Sequence, residues 1–322
     1  MREWILWAVL VLSLLCLLEY ALWLRREKAR RNRAGGDALP LDAAVPEDTL
    51  SNGADPELRV EGQSGLFGAL AWAIAKGGRE SQQDALAAVL REDCAGAVLC
   101  DGMGGLEGGA LASRETVEVF RAVLAGHRDL SQLRGSLRQA LDEADRKVAC
   151  LTDEAGRTLR AGTTLVCAVL REGEFTWLSV GDSRIYLFRD GALRCLTRDH
   201  NYLLELRRAV AAGEMDIEEA RAVRRKDALI SYVGMNGVAL ADMSSSPSPL
   251  EPGDLVLLTS DGLFKALPEA EIAAVLLEQG TDLTACAGTL LHRALARGGP
   301  RQDNTSLVLL RQGPAPAEAG EA

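Results

Sequence analysis

No Cys-x-x-Cys pair occurs in this chain. Its seven cysteines, Cys16, Cys94, Cys100, Cys150, Cys167, Cys195 and Cys286, are scattered and odd in number. That pattern argues against a zinc knuckle or a disulfide framework and reads as small core hydrophobes in a reducing compartment. A Gly-x-x-x-x-Gly-Lys-Ser/Thr loop is also missing, which excludes a P-loop enzyme. The Gly-rich run DGMGGLEGG (101–109) fails as a dinucleotide fingerprint, because Glu107 stands where the third glycine belongs. Asp101 would moreover face the pyrophosphate. Positive charge is short too, with 36 Lys and Arg against 46 Asp and Glu. The chain therefore lacks the basic surface that nucleic-acid binding needs.

What is present is ordinary for a folded protein: 322 residues, 48% hydrophobic and 25% charged, enough for one domain of moderate size and an appendage. The charge is unevenly placed. Residues 1–33 carry seven bases and three acids, leaving 29 bases and 43 acids for the rest. An acidic body of this kind repels phosphorylated substrates unless bound cations reverse the sign locally.

Residues 1–33 predict a membrane anchor with a basic juxtamembrane segment. Trp4 to Leu24 is a run of 21 mostly apolar residues, which at about 1.5 Å per residue spans the ~30 Å hydrocarbon layer. Trp4, Trp7, Tyr20 and Trp23 lie at its ends, where amphipathic rings favour the headgroup level. Six bases follow between Arg25 and Arg33, which by the positive-inside rule places the downstream chain in the cytoplasm of a single-pass protein. A cleaved signal peptide fits less well, since the basic cluster follows the apolar run and no small-residue cleavage site precedes it. Residues 34–66 read as a flexible linker, 67–312 as the folded domain and 313–322 as a disordered tail.

From residue 67 onward, short β-like runs at 69–75, 85–90, 97–100, 163–170, 175–180, 184–188, 255–259 and 306–310 are separated by helical patterns. The helices fall at 108–124, 130–151, 202–212, 217–225, 269–278 and 283–296. Strands grouped together and helices in pairs indicate α+β with antiparallel sheet rather than βαβ winding.

Four aspartates sit at ends of such strands: Asp84, Asp101, Asp261 and Asp303. One Asp-Gly after a strand is more often a turn than a ligand. Four such acids, without accompanying histidines or thiolates, suit hard cations such as Mg²⁺ or Mn²⁺. Gly102, next to Asp101, would let its backbone carbonyl approach a metal with no side chain in the way.

In order along the chain, GGRESQQD (77–84), CDGMGGLEGGALAS (100–113), AGTTL (161–165), VGDSRIYLFRDG (180–191), LTRDHN (196–201), SDGLF (260–264) and GGPRQDNTS (298–306) resemble the motifs of bacterial type 2C (PPM) metal-dependent serine/threonine phosphatases. The resemblance implies a β-sandwich of two antiparallel sheets flanked by helical pairs, with metals in the cleft at one end. It implies two Mn²⁺ or Mg²⁺ ions on Asp84, Asp101, the Gly102 carbonyl, Asp261 and Asp303, bridged by Asp101, and a shared hydroxide attacking phosphorus in line. Arg79 would grip the phosphate, Asp182 with Asp261 would hold a third ion, and residues 200–234 would form a flap beside the site. Substrates would be phosphorylated proteins made by a serine/threonine kinase. The alternative is a catalytically weak phosphatase-like sensing or scaffold domain, whose signature would be lost metal carboxylates. The sequence departs from the family at Gln82 and Gln83, neutral amides able to bond metal-held water, and at Met103, where animal members carry a histidine.

Overall fold

A computed structural model describes residues 58–65, 67–126 and 130–313. The chain divides into two units, Met1–Ala43 and Ala44–Ala322, and every described residue belongs to the second. The expected anchor, its basic segment, most of the linker and nearly all of the tail lie outside the described residues. Among the described residues no helix is long and apolar enough to cross a membrane.

The strands, in chain order, are β1 (Arg59–Ser64), β2 (Gly68–Ala75), β3 (Asp84–Leu90), β4 (Cys94–Met103), β5 (Gly162–Thr163), β6 (Leu165–Arg171), β7 (Glu174–Val180), β8 (Arg184–Arg189), β9 (Ala192–Cys195), β10 (Asp242–Met243), β11 (Ser248–Pro249), β12 (Leu255–Thr259) and β13 (Thr305–Gln312). They form a six-stranded sheet, β1-β2-β13-β12-β8-β9, and a seven-stranded sheet, β10-β7-β6-β4-β3, with β11 on β7 and β5 on β4. Every named pairing is antiparallel.

Alternation along β2 shows how the layers are built. Its even positions, Leu70, Trp72 and Ile74, enter the core between the sheets with Leu86, Leu99, Val166, Ile185, Val256 and Val308. Its odd positions, Ala69, Ala71, Ala73 and Ala75, face the other way into a second core, as the two-residue period of a strand requires. That second core is closed by a pair of helices, α6 (Glu269–Gln279) and α7 (Leu283–Gly298), through Ile272, Val275, Leu290 and Leu291. On the far side α1 (Gly105–Gly126) and α2 (Leu130–Ala149) cover the seven-stranded sheet through Phe120, Leu137 and Leu141. Burying each large apolar side chain stabilises the fold by about 1.5–3 kcal/mol relative to exposure. The expected sandwich with a helical pair on each outer face is the observed one.

Among the boundaries that differ from expectation, three have a clear physical cause. The folded domain begins before residue 67, because Arg59–Ser64, expected in the linker, pairs with β2 in six-residue register from Arg59↔Ile74 to Ser64↔Ala69. Its polar sequence RVEGQS hides the signal, since only Val60 packs on the helical core. The strand expected over 163–170 breaks after Thr163, where Gly162 and Thr163 pair with the end of β4 and Thr164 N–H donates to the Asp101 carbonyl at 2.9 Å. The helix expected over 217–225 ends at Ala222, with Val223 extended at φ −66° and ψ 123°. The turn that follows is tied to the flap helix α3 (Tyr202–Ala211) by Leu203 N–H donating to the Lys226 carbonyl at 2.7 Å.

Loss of a paired edge strand should be visible in stability. A chain starting at residue 67 should melt roughly 5 to 10 °C below one starting at 55, as expected for a loss of about 2–3 kcal/mol in a domain of this size. Equal melting temperatures in calorimetry would show that β1 contributes nothing.

Candidate active site

The ends of β3, β4, β12 and β13 converge at one end of the sandwich. Asp84 opens β3 and stands directly across from Asp101 of β4. Asp261 begins α5 (Asp261–Phe264), one turn of helix immediately after Ser260 and the end of β12. Asp303 precedes β13 by two residues, and Asp182 follows the end of β7. All but Asp84 line a cleft of about 610 Å³, together with Arg79 and Met103. Asp84 lies beneath it, 5% exposed. The structure thus brings together all seven residues expected at the site, Gly102 included.

Each acid is held by its neighbours. Asp84 Oδ2 accepts from the hydroxyls of Ser260 and Ser306, both at 2.7 Å. The Asp101 backbone is fixed on both sides: its N–H donates to Thr164 Oγ1 at 2.9 Å and its carbonyl accepts from Thr163 Oγ1 at 2.8 Å. Asn304 anchors the Arg79 loop, its Oδ1 accepting from Gln83 N–H at 2.8 Å and its Nδ2 donating to the carbonyls of Lys76 and Ser81. Gly102 has a packing reason to be glycine: a Cβ there would lie 2.0 Å from the Gly109 carbonyl oxygen of α1.

Collecting carboxylates in a partly dry cleft raises their proton affinity. Burial, partly offset by the two serine hydroxyls and reinforced by Asp261 and Asp303, pushes Asp84 up to about 7. Burial, then the neighbouring acids, sends Asp101 well above the usual carboxylate range. Asp182 rises to about 6, again through burial first and then Asp261. Two oxygens stand out: Asp84 Oδ1 and Asp261 Oδ1 are buried and, among the described residues, without a hydrogen-bond partner. Buried polar atoms of this kind call for an absent partner. Oxygen donors with no thiolate or imidazole among them fit a hard divalent cation. Among the described residues no three acidic, imidazole or thiol side chains close on a single point. The acids line an open cleft, with Asp303 turned onto Arg79 at 2.5 Å and Asp261 paired with Lys265.

Several functional neighbours had little signal in the sequence. Ser260, Ser306, Thr163, Thr164 and Asn304 look like ordinary strand-end polar residues until the fold sets them on the acids. Lys265 had a usable signal, since it lies four residues after Asp261, the spacing at which helical side chains meet. Asp145 had none. From α2 its carboxylate accepts backbone N–H groups of Gly234 at 2.7 Å, Met235 at 2.9 Å and Gly237 at 2.5 Å, pinning the exit of the flap. Of the two amides, Gln83 lines the cleft and donates to the Gly105 carbonyl at 2.6 Å. The Gln82 Oε1 accepts from Asp84 N–H at 3.0 Å, so that amide serves the backbone.

The raised carboxyl affinities set the pH response of the metal-free protein. For an acid whose folded pKa exceeds its ordinary value near 3.8, the stabilising contribution is full below that value and is lost as pH rises toward 6–7. In chelator the melting temperature should fall by several degrees between pH 5 and pH 7.5, as proton linkage requires, and Mn²⁺ should restore more at pH 7.5 than at pH 5. A melting temperature that rises with pH in chelator would contradict the arrangement.

Comparison with known proteins agrees with this geometry. The protein phosphatase 2C family model matches residues 76–297. The serine/threonine phosphatase stp of Listeria monocytogenes is 30% identical over 218 residues, 67% of this chain and 83% of that protein. The Streptococcus agalactiae serine/threonine phosphatase structure superposes with a TM-score of 0.62 at 26% identity, covering 79% of this chain and 98% of that one. The catalytic domain of the phosphatase PstP, solved with two manganese ions, gives 0.55 at 25% identity, covering 80% and 99%. With the family model spanning more than half of its residues and a relative 30% identical over two thirds of it, this chain belongs to the protein phosphatase 2C family of serine/threonine phosphatases.

Proposed function

We propose that the cleft hydrolyses phosphoserine and phosphothreonine esters with two divalent cations, Mn²⁺ or Mg²⁺, held by Asp84, Asp101, the Gly102 carbonyl, Asp261 and Asp303. The observation that carries this reading is the pair of buried carboxylate oxygens, Asp84 Oδ1 and Asp261 Oδ1, that have no hydrogen-bond partner among the described residues, in a cluster where Asp84 and Asp101 have raised proton affinity. Without metal cations a phosphate dianion approaching these acids is repelled by them, with Arg79 and Lys265 the cationic side chains lining the cleft among the described residues. Bound cations would reverse that sign and lower the pKa of a water for direct attack on phosphorus.

The chain's own groups supply the rest. Arg79 is more than half exposed and pairs with Asp303. Its planar guanidinium is free to exchange Asp303 for two phosphoryl oxygens. Thr163 and Thr164 hold Asp101 in register, so the acid does not drift as charge builds. Met103 lines the cleft but has no proton to give, so a departing serine or threonine oxygen would take its proton from another group, with water the candidate donor. All of the family's metal carboxylates are retained, which favours catalysis over a sensing or scaffold role.

For the whole chain we propose a single-pass membrane protein with the phosphatase domain in the cytoplasm, supported by the 21-residue apolar run and the six bases after it. Full-length protein should fractionate with membranes, and protease added to sealed cells should spare the catalytic domain. Digestion from outside would invert the topology.

Replacement of one central acid tests the site. Asp101→Asn should lower phosphopeptide turnover in Mn²⁺ by about 10³-fold or more, since a lost ligand charge disables the metal centre. The same variant should melt higher than wild type in chelator, because it removes one of several repelling buried carboxyls. Near-normal turnover would refute the assignment.

A further inference from the structure

Asp261 uses its two oxygens differently. Oδ1 is buried and has no hydrogen-bond partner among the described residues, whereas Oδ2 is taken by the ammonium of Lys265. The pairing is built into the local fold: α5 is a single turn, Lys265 N–H donates to the Asp261 carbonyl at 2.9 Å, and the four-residue spacing sets one side chain above the other. Lys265 lines the same cleft as Asp182 and Asp101. Its charge reaches both. Burial works against the ammonium, yet Asp261, Asp182 and Asp101 outweigh it and hold its proton more tightly than usual. Reciprocally, Lys265 is the cation that opposes the rise at Asp182.

A third divalent ion shared by Asp182 and Asp261 would need the Asp261 oxygen that Lys265 occupies, and would sit beside a fixed positive charge. We infer that Lys265 takes the place of such an ion, so that the cleft holds two divalent cations and one built-in ammonium between Asp261 and Asp182. The inference rests on the two-cation reading above. It differs from the ordinary alternative, an exposed i,i+4 ion pair of little consequence, which would yield to a divalent ion with no change in how many ions bind.

Metal counting separates the two. Full-length protein in detergent is dialysed to equilibrium against a Mn²⁺ series, and bound manganese per chain is measured by atomic emission. Wild type should take up two ions. Lys265→Ala and Lys265→Gln should take up three, the third at least about tenfold tighter than any third ion in wild type, as expected from removing a like charge at close range. Lys265→Arg should stay at two, and Lys265→Ala combined with Asp182→Asn should return to two. Three ions in wild type with variant-like affinity, or two in both wild type and Lys265→Ala, would overturn the inference while leaving the two-cation reading intact. Fewer than two in wild type would defeat both readings.

Discussion

Like charges forced together are the constraint on which this structure turns. Five carboxyls, Asp84, Asp101, Asp182, Asp261 and Asp303, meet at one end of the sandwich, and burial makes Asp84, Asp101 and Asp182 harder to ionise. No isolated loop would hold such a set. The sandwich does so because its strands are fixed over their whole length by the core between the sheets, with Trp72, Leu99 and Val308 at its centre. The repulsion at the tips is therefore carried by packing several residues away. Hard divalent cations would relieve that repulsion.

The surrounding polar network limits where the acids can move. Ser260 and Ser306 come from adjacent strand ends and grip the same Asp84 oxygen, so one face of that carboxylate is spoken for and the other is left open. Behind the cleft, Arg184 makes a two-point contact with Asp199 at 2.9 and 2.8 Å and lies 3.9 Å over the Phe264 ring. That contact ties the strand after Asp182 to the turn that carries Asp261. His200 is buried with its Nδ1 accepting from Gly181 N–H at 3.2 Å, joining the start of the flap to the loop before Asp182. Asp145 fastens the flap's other end. The flap is thus moored at both ends to the framework, with Tyr202 exposed near its start and Ile217 near its middle.

Much of this was legible in the sequence because strand-end acids, glycines and helix patterns are local signals. The four aspartates and the Asp-Gly pairs announce themselves within a few residues, and the two helical pairs follow from periodicity. What stayed hidden is what depends on long-range register. Arg59–Ser64 is too polar to read as a strand and gains its identity only from pairing with β2. Ser306 on Asp84 spans 222 positions in sequence and Asp145 on Gly237 spans 92, so neither contact leaves a local trace. Gly102 was readable as special but for a different reason, since the close approach of Gly109 is a tertiary fact.

Whether this acid cluster is a two-cation centre can be seen by anomalous diffraction at the manganese edge, from crystals of the protein grown with Mn²⁺. Two strong peaks are expected in the cleft beside Asp101, with Asp84 Oδ1 and Asp261 Oδ1 turned toward them. An empty cleft, or manganese bound only at sites away from these carboxylates, would contradict it.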